Sequence, residues 1–565
     1  MKKHLYIIIF FFFLNIIKAQ TINFQWSDQI GGTFNDSGNS IALDGSGNVY
    51  SIGRFTGTVD FDPGVGISNL TAPSGFSDIF ILKLNSSGNF IWAKQLGGNN
   101  DDYGYALTID GAGNVLATGC FQGVADFDPS VGTFTLSAKG QYDSFILKLD
   151  AAGNFIWAKQ LGGSKDDIGY SIIVDNSNNI YSTGNFIDTA DFDPGVSVYN
   201  LIAKGGLDIF VSKLDSSGNF IWAKKFGGNS DDYSYSIVTD ASGNVFTTGE
   251  FTDTTDFDPS FSVFNLISAS PYFNSFISKL DPSGNFAWAK MIGGTRENAG
   301  SSIKLNATGD VFVAGPFSGT ADFDPSLSTY TLNTNLFFDI FVLKLDGSGN
   351  FVWAKQMGGT SNDYATSLSL DNSGNVYTTG IFRNSADFDP NVGTYNLTSV
   401  GFEDIFVSKL DPAGNFIWAK SFGSTQQDNG ASVAVDGLGN VYTTGFFESI
   451  CNFDFGNSNF SLSSFGGWDA FVCKLSQGTL GLVENTQEKA ISIYPNPTND
   501  KVYFFNKEEL IQSFKLLNSI GQCLIEKTNI QFHNVTLDLS DYQNGIYFLE
   551  VNSADCITRT KLVKN

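Results

Sequence analysis

The sequence GNFIWAKQLGG at residues 88–98 recurs along the chain, for example as GNFAWAKMIGG at 284–294. Its tryptophan marks seven positions that are 65 or 66 residues apart: Trp26, Trp92, Trp157, Trp222, Trp288, Trp353 and Trp418. A fixed period of this kind indicates one supersecondary unit copied along the chain. A residue that recurs in every copy is expected to do the same packing job in each copy, and not to form a single active site.

The copy that begins at Tyr170 shows the internal plan of the repeat. Its segments YSIIVD (170–175), NIYSTGNF (179–186), DIFVSKLD (208–215) and NFIWAKKFGG (219–228) are rich in β-branched and aromatic residues, and Gly, Asn, Asp or Ser bound them. This pattern predicts four antiparallel strands, a, b, c and d. The a–b and c–d turns share the formula Asp-x-x-Gly-Asn, in which Asp caps the turn and Gly supplies positive φ. We prefer this interpretation to an EF-hand, because the remaining calcium ligands are missing from every copy.

Four short strands copied seven times predict an all-β fold: a seven-bladed β-propeller closed by the N-terminal strand, followed by a small C-terminal β-sandwich. The chain begins with a lone d strand at 22–32, and the array ends with a, b and c strands at 431–436, 440–447 and 469–475. The first strand can therefore complete the last blade and remove the free edge. We expect a signal peptide at 1–19, the propeller at 20–476, a linker at 477–489 and a C-terminal domain at 490–565.

Composition and charge indicate a folded protein and argue against some classes of partner. Of the 565 residues, 42% are hydrophobic and 16% are charged, which is typical of a folded chain. A formal net charge of −25 argues against nucleic acid and anionic membranes as partners. The leader MKKHLYIIIFFFFLNIIKA at 1–19 is typical of a secretory signal peptide, so we expect its removal and no transmembrane segment in the mature chain.

Residues suited to catalysis are scarce. The only histidines are His4 and His533, so the repeats offer no histidine base. The sequence has no Gly-rich phosphate loop and no His or Cys cluster with metal-ligand spacing. We therefore expect no catalytic residue and no bound cofactor. The five cysteines do not follow the repeat period; Cys523 and Cys556 share the C-terminal segment and could pair, a point that the sequence leaves open.

The long connections are the expected place for a ligand. In an up-and-down blade the a–b and c–d turns emerge on one face, and the b–c and d–a connections emerge on the other. Here the first face carries only tight turns, so we expect any ligand site on the second, the long-connection face. The b–c connections open with Asp-Phe-Asp-Pro, which places paired acids at Asp60 and Asp62, Asp126 and Asp128, Asp191 and Asp193, Asp256 and Asp258, Asp322 and Asp324, and Asp387 and Asp389.

Two interpretations of these acids remain. In the preferred one, Asp caps the backbone and Phe anchors the connection. In the other, the paired acids bind Ca²⁺, although two carboxylates fall short of the roughly 6–8 oxygen ligands that this ion takes. The d–a connections add equivalent acids at Asp36, Asp102, Asp167, Asp232, Asp363 and Asp428, with Asn298 as the exception. Departures from the repeat, where a specific site would have to start, occur at Arg296, Glu297, Lys304, Cys451, Asn452 and Trp468. Sequence drift within an array produces the same pattern, and we prefer that interpretation.

Two family resemblances follow from the motifs. The Tyr-Pro-Asn-Pro of Tyr494, Pro495, Asn496 and Pro497, the Asn-Gly-Ile-Tyr containing Gly545 and Tyr547, and the terminal TKLVK at 560–564 resemble the type A C-terminal sorting domain of the type IX secretion system of Bacteroidota. The repeats, through DIFVSKLD–SSGNFIWAKKFGG, resemble the SBBP family of β-propeller repeats over roughly residues 22–475. The tail resemblance implies contact with the type IX secretion machinery, export, and removal of the tail.

The function that we expect is non-catalytic binding or adhesion at the cell surface or in secreted form, to a glycan or protein ligand that the sequence does not identify. One alternative is an extracellular hydrolase that acts on polysaccharide through Asp pairs. Another is a purely structural surface component.

Overall fold

The computed structural model of the protein describes residues 21–268, 271–455, 460–478, 491–506, 510–518, 522–552 and 557–565. Over these ranges the chain is all-β and forms no helix. It divides into two compact bodies, residues 1–479 and 480–565. We call the first the repeat domain and the second the C-terminal domain.

Each predicted segment of the repeat domain contains a strand, but some b and c strands extend into the b–c connection, and the other b–c connections form short strands that the sequence pattern does not predict. The bounds of the repeat-domain strands are β1 Thr21–Ile30, β2 Ser37–Leu43, β3 Val49–Thr56, β4 Thr58–Asp60, β5 Asn69–Thr71, β6 Ser77–Leu84, β7 Phe90–Gly98, β8 Tyr103–Ile109, β9 Val115–Phe121, β10 Val124–Asp126, β11 Thr135–Ser137, β12 Asp143–Leu149, β13 Phe155–Gly163, β14 Asp167–Val174, β15 Ile180–Asp191, β16 Asn200–Leu214, β17 Phe220–Phe226, β18 Asp232–Thr239, β19 Val245–Phe251, β20 Thr254–Asp256, β21 Asn265–Ile267, β22 Asn274–Leu280, β23 Phe286–Gly294, β24 Ser302–Leu305, β25 Val311–Asp322, β26 Thr331–Leu345, β27 Phe351–Gly359, β28 Tyr364–Leu370, β29 Val376–Phe382, β30 Ser385–Asp387, β31 Asn396–Thr398, β32 Asp404–Leu410, β33 Phe416–Phe422, β34 Asn429–Val435, β35 Val441–Asn452 and β36 Ser461–Gly478. The C-terminal domain adds β37 Ile491–Tyr494, β38 Lys501–Asn506, β39 Ile511–Leu517, β40 Cys523–Phe532, β41 Asn534–Asp538, β42 Gly545–Asn552 and β43 Ile557–Lys564.

Antiparallel pairing groups these strands into four-stranded repeats, each with the order a, b, c, d. Repeats 1 to 7 are β2-β3-β6-β7, β8-β9-β12-β13, β14-β15-β16-β17, β18-β19-β22-β23, β24-β25-β26-β27, β28-β29-β32-β33 and β34-β35-β36-β1. The last repeat takes its d strand from the other end of the chain: β1 pairs with β36 from Thr21 opposite Gly478 to Ile30 opposite Ala470.

The a strands contact one another in a circular order. The contacts run from β2 through β8, β14, β18, β24, β28 and β34, and β34 also contacts β2. The buried side chains form seven clusters in this domain, and each cluster draws on two neighbouring repeats. One of them joins Tyr442 and Val472 of repeat 7 to Phe55 and Phe80 of repeat 1. The apolar faces are therefore covered between repeats, and not within them.

On the long-connection face, each b–c connection is a hairpin that pairs with the preceding repeat. In repeat 2, Ala125 pairs with Gly98 and Asp126 pairs with Gly97 at the end of β7. A Cβ at Gly98 would meet the carbonyl oxygen of Val124 at 2.0 Å, so this approach requires glycine. The same bridge joins Asp60 of repeat 1 to Gly31 after β1, which ties repeat 1 to repeat 7.

On the opposite, short-turn face, a lysine and the repeated tryptophan bind the next repeat. Trp92 Nε1 and Lys83 Nζ both donate to the carbonyl oxygen of Ala151 in the c–d turn of repeat 2, at 3.4 and 3.0 Å. The lysine ammonium also lies 4.7 Å from the ring centroid of Tyr50, within cation–π range. Across the junction of repeats 7 and 1, Lys474 Nζ donates to the carbonyl oxygen of Ser86 at 2.8 Å.

Buried acid pairs form a second contact between repeats on the long-connection face. Asp78, at the start of β6, accepts a 2.6 Å hydrogen bond from Gln95 and lies beside Asp102, which precedes β8. Burial raises the pKa of Asp102 to about 8, and the charge of Asp78 adds to this effect. Equivalent pairs are Asp143–Asp167, Asp208–Asp232, Asp339–Asp363, Asp404–Asp428 and, across the junction, Asp469–Asp36.

Repeats 4 and 5 meet through a neutral version of this pair. Asn274 and Asn298 occupy the two positions, and Asn298 Nδ2 donates to Asn274 Oδ1 at 3.2 Å. At this junction both acids are replaced by asparagine. This is expected if, at the other junctions, the two acids lie so close together that they cannot both be charged. Asn298 is an exception among the d–a acids, and its partner Asn274 is an exception among the acids at the start of the c strands.

The C-terminal domain contains two sheets. One has the order β37-β38-β41 and the other β40-β39-β42-β43. Side chains of both sheets, including Val502, Phe504, Phe514, Leu516 and Leu549, form one buried cluster. The predicted signal peptide at 1–19 lies outside the described residues. So does the predicted linker, except that Gln477 and Gly478 belong to β36.

Deleting β1 tests whether the repeat domain needs a strand from its N-terminal end. Removal of residues 21–30 leaves the edge of β36 unpaired and exposes the cluster that contains Ile30. We expect a much lower melting temperature by calorimetry. Adding the peptide TINFQWSDQIGG (21–32) should restore it, and a scrambled peptide of the same composition should not. An unchanged melting temperature after deletion would show that β1 contributes nothing to closure.

The acid pairs predict a pH dependence of stability. Burial raises the pKa of Asp78 to about 7, so the stability contributed by its neutral carboxyl is complete below pH 4 and is lost as the pH rises through 7. Asp78→Asn cannot ionise and should flatten the fall in stability between pH 5 and 8, by on the order of 1 kcal/mol at pH 8. Melting curves at several pH values measure this slope.

Asp44→Asn is the matched control for the pH experiment. Burial opposes the shift, but hydrogen bonds from Asn48 and Ser46 lower the pKa of Asp44. Its contribution is therefore lost only below pH 4, and the slope between pH 5 and 8 should match that of the wild-type protein. Equal slopes in wild type and Asp78→Asn would contradict the interpretation of the acid pairs.

Candidate functional site

The a strands begin on the long-connection face and contact one another in a circular order. We call the area around the starts of these strands the mouth. The first a-strand residue pairs with a residue near the end of the b strand, as Ser37 does with Arg54. At these two positions and at the third a-strand position the repeat is not maintained. The positions equivalent to Ser37, at or near the start of each a strand, hold Ser37, Tyr103, Ile168, Tyr233, Ala299, Tyr364 and Asn429. The b-strand positions opposite them hold Arg54, Cys120, Asn185, Glu250, Pro316, Ile381 and Phe446. The positions two residues after the first set hold Asn39, Tyr105, Tyr170, Tyr235, Ser301, Thr366 and Ala431.

Tyrosines cover the mouth on the side of repeats 2 to 4. Tyr105 lies 5.2 Å from Tyr170 between ring centroids, and Tyr170 lies 5.9 Å from Tyr235. Tyr103 and Tyr233 flank this row at 6.2 and 6.1 Å from the tyrosine two residues later in their strands. All five are half-buried, and burial raises the pKa of Tyr170 to about 12. The row therefore presents neutral aromatic rings at neutral pH.

Beside this row lies a cavity of about 260 Å³ between repeats 7, 1 and 2. On the repeat 7 side, Phe446 and Trp468 stack with ring centroids 4.4 Å apart and an interplanar angle of 16°. On the other side, the Arg54 guanidinium lies 5.2 Å from the ring centroid of Tyr103. Asn429 also lines the cavity.

The connection that precedes β2 holds Trp468 in place across the junction. Its backbone N–H donates to Asn35 Oδ1 at 3.1 Å, and its carbonyl accepts from the N–H of Asp36 at 2.7 Å. The cavity therefore depends on the contact between the first and last repeats.

Further around the mouth, charged groups are already paired. Tyr235 donates to Glu250 Oε1 at 2.8 Å, while burial raises the pKa of Glu250 to about 7. The guanidinium of Arg383 donates from Nε to Glu403 Oε1 at 2.9 Å and stacks 4.2 Å from the ring centroid of Phe402. Glu250 thus accepts a hydrogen bond from Tyr235, and Arg383 is paired with Glu403. By contrast, no carboxylate among the described residues accepts a hydrogen bond from Arg54 in the cavity at repeats 7, 1 and 2.

The Asp-Phe-Asp-Pro acids lie in the b–c hairpins and bond to their own backbone. Asp60 Oδ1 accepts from the N–H groups of Asp62 and Ser68 at 3.1 and 2.8 Å, and Asp62 Oδ1 accepts from the N–H of Gly64 at 2.8 Å. The phenylalanine between them, Phe61, is fully buried. The same pattern recurs at Asp126 and Asp128, Asp191 and Asp193, Asp256 and Asp258, Asp322 and Asp324, and Asp387 and Asp389.

This geometry matches the capping interpretation of the acids, since each carboxylate already satisfies hairpin N–H groups. Within the described ranges no three His, Cys, Asp or Glu side chains are grouped closely enough to hold a metal ion. In the same part of the chain no helix is both long and apolar enough to cross a membrane.

From the sequence we expect a ligand site on the long-connection face, which stays a prediction. The sequence also marks Trp468 as a departure from the repeat, and Trp468 lines the cavity. It did not single out Arg54, Phe446 or the tyrosines, because each is an ordinary strand residue by itself. Aligning the repeats position by position, as Arg54, Cys120 and Glu250 align, is the signal that could have found them. The seven repeated tryptophans lie on d strands towards the short-turn face, away from the mouth.

In the C-terminal domain the structure joins two of the sorting motifs. Asn496 of the Tyr-Pro-Asn-Pro segment donates from Nδ2 to the carbonyl of Lys561 at 2.6 Å and accepts the N–H of Val563 at 2.9 Å. It thus forms a two-point contact with the terminal strand β43. Lys564 Nζ donates to the carbonyl oxygens of Leu539 and Tyr542 at 2.6 and 2.5 Å.

The remaining sequence-predicted residues of this domain are also placed. Tyr494 is exposed and stacks on Tyr503 at 5.9 Å, whereas Tyr547 is buried and donates to the carbonyl of Gln543 at 2.7 Å. Gly545 begins β42 opposite Lys564. Cys523 is a free thiol, and Cys556 lies outside the described residues.

Comparison with known proteins identifies both parts of the chain. The family described as "Secretion system C-terminal sorting domain" matches residues 492–565. The family described as "Beta-propeller repeat" (SBBP) matches six stretches, at 25–54, 91–119, 156–185, 221–257, 352–380 and 417–445. The copy with Trp288 lies in the gap between the fourth and fifth of these stretches, and both members of the asparagine pair, Asn274 and Asn298, lie in the same gap.

Curated relatives are distant and longer. An uncharacterized WD repeat-containing protein of Acanthamoeba polyphaga mimivirus is 24% identical over 93% of this chain and 44% of its own length. The regulatory protein FlaEY of Caulobacter vibrioides is 24% identical over 38% of this chain and 22% of its own length. The chain thus spans less than half the length of these curated relatives.

Two solved structures show weak overall similarity. A protein of unknown function from Bacteroides caccae has a TM-score of 0.31 at 10% identity, with 62% of this chain and 92% of that one covered. Sqt1 from Chaetomium thermophilum has a TM-score of 0.37 at 12% identity, with 81% and 100% covered. The family matches are the stronger findings, and the sorting domain indicates a secreted or outer-surface protein. The chain is a β-propeller repeat protein with a C-terminal sorting domain of the type IX secretion system.

Proposed function

We propose that this protein is a secreted or cell-surface β-propeller that binds an extracellular ligand at its mouth, without catalysis. Its seven repeats are the blades of a closed ring, β1 is the strand that closes it, and the C-terminal domain is a small β-sandwich. The circular order of the a strands and the β1–β36 pairing support this architecture.

One observation supports the binding function. Equivalent positions of the repeats keep the same residue types where neighbouring repeats are in contact, and they hold different residue types at the mouth. Contacts such as Lys83 to Ala151 recur around the ring. At the mouth, by contrast, Arg54 has Cys120, Asn185 and Glu250 as equivalents. A ligand site needs a particular set of side chains at one place, whereas a scaffold needs the same set in every repeat.

The proposed export route uses two segments, the leader and the C-terminal domain. A leader at 1–19 would direct export across the inner membrane, and the C-terminal domain would engage the type IX secretion machinery at the outer membrane. Removal of residues 490–565 after export would leave the repeat domain released or attached to the surface. The match to the sorting domain supports this route.

A hydrolase that acts on polysaccharide is the second candidate. The hairpin Asp pairs do not favour it, because their carboxylates cap their own backbone. Glu250 is the group at the mouth with the property of a general acid, since burial raises its pKa to about 7. Release of sugars from a polysaccharide by the wild-type protein, and its loss in Glu250→Gln, would establish the hydrolase instead. A purely structural surface component is the third candidate and predicts no ligand.

Deleting the C-terminal domain tests the export route. Without residues 490–565 we expect the repeat domain to accumulate in the periplasm, as measured by cell fractionation and immunoblotting. The matched control is Lys527→Gln, a surface substitution in the same domain that leaves both sorting motifs intact. Normal surface display of the truncated protein would overturn the assignment of this domain as the export signal.

A glycan and protein array tests the binding function. We expect the protein without its leader to bind a defined subset of the array, and Trp468→Ala to weaken that binding at least about tenfold, since an aromatic anchor contributes 2 kcal/mol or more. Phe465→Ala removes an exposed aromatic residue from the same strand, β36, and should leave binding unchanged. Failure to bind any probe would favour the structural role, and binding unaffected by Trp468→Ala would place the site elsewhere.

A further inference from the structure

The cavity between repeats 7, 1 and 2 contains an arginine without an acidic partner. The chain has four arginines: Arg54, Arg296, Arg383 and Arg559. Arg383 is satisfied by Glu403, and Arg296 is exposed to solvent. Arg54 is half-buried, and among the described residues no carboxylate or carbonyl accepts a hydrogen bond from its guanidinium.

Asp36 interacts with Arg54 but accepts no hydrogen bond from it. Asp36 attracts the guanidinium electrostatically, but its two oxygens accept the N–H groups of Gly32 and Thr56 at 2.7 and 2.9 Å. The ring of Tyr103 holds the cation over its face. A half-buried guanidinium thus keeps its planar set of donors free, and that set matches a carboxylate in two-point geometry.

Aromatic rings surround this cation. The Phe446–Trp468 stack faces it from repeat 7, and Tyr103 and Tyr105 face it from repeat 2. At about 260 Å³ the cavity is smaller than the pockets of roughly 300–1,000 Å³ that enclose drug-sized ligands, so it suits one ring-sized group. A sugar ring can place its C–H face on such aromatic surfaces while its hydroxyls reach Asn429 and Ser37.

We propose that this cavity binds a uronic acid residue of an extracellular polysaccharide, with the sugar carboxylate on Arg54 and the ring against Trp468 and Tyr105. This rests on the proposed binding function and specifies its ligand class. The formal net charge of −25 repels an anionic sugar chain at long range, so the attraction for the carboxylate has to come locally from Arg54. A free peptide carboxylate could also meet a guanidinium, but it brings no ring to the aromatic surfaces.

Isothermal titration of the full chain without its leader tests the proposal. The probes are a trigalacturonate, the matching neutral trigalactoside and a peptide with a free C-terminus. We expect trigalacturonate to bind, the neutral sugar to bind at least about tenfold more weakly, and Arg54→Gln to remove that difference, since a hydrogen bond to a charged group contributes roughly 1.5–3 kcal/mol. Arg296→Gln removes the same charge from the same face and should leave affinity unchanged.

The outcomes separate the ligand class from the binding function. The uronic acid ligand would be overturned if the wild-type protein bound the acidic and neutral sugars equally well, or if it preferred the peptide. Loss of binding in Trp468→Ala would in that case still identify the mouth as the site. Binding unaffected by both Arg54→Gln and Trp468→Ala would overturn the site itself. Circular dichroism and melting curves confirm that each variant is folded before titration.

Discussion

Burial of apolar surface between neighbouring four-stranded sheets is the constraint on which this structure depends. A single repeat has two apolar faces and covers neither, so every core cluster of the repeat domain is shared by two repeats. Strand d of repeat 7 comes from the other end of the chain, and β1 lets repeats 7 and 1 make the same contacts as any other pair. The polar contacts, from Lys474 to Ser86 and from Asp469 to Asp36, follow the same rule.

This constraint separates the residue positions between repeats from those at the mouth. Positions between repeats must satisfy the same geometry at every junction, so Trp, Lys, Gly and Asp recur there. Positions at the mouth face solvent and only their own neighbours, so they are free to differ. The asparagine pair Asn274–Asn298 shows that even a junction can change when both partners change together. Side chains can therefore be chosen for a specific ligand only at positions outside the repeated contacts between neighbouring repeats.

Much of the fold could be predicted from the sequence because its signals repeat. The tryptophan period located the d strands, the Asp-x-x-Gly-Asn turns located the hairpins, and the offset first strand indicated its pairing with β36. The family matches confirm the propeller repeats and the sorting domain. The cavity could not be predicted in the same way, because Arg54, Tyr103 and Trp468 are far apart in the chain, and only the circular order brings them together. The acid pairs also depend on this order, since Asp78 and Asp102 belong to different repeats.

The junction of repeats 7 and 1 brings both ends of the repeat domain to the same face. Thr21 and Gly478 pair at the short-turn end of their strands, so both ends of the repeat domain leave from the face opposite the mouth. Anything joined to either end of the repeat domain therefore begins at the short-turn face. The cavity of Arg54 and Trp468 lies at the other face, where neither end of the domain covers it.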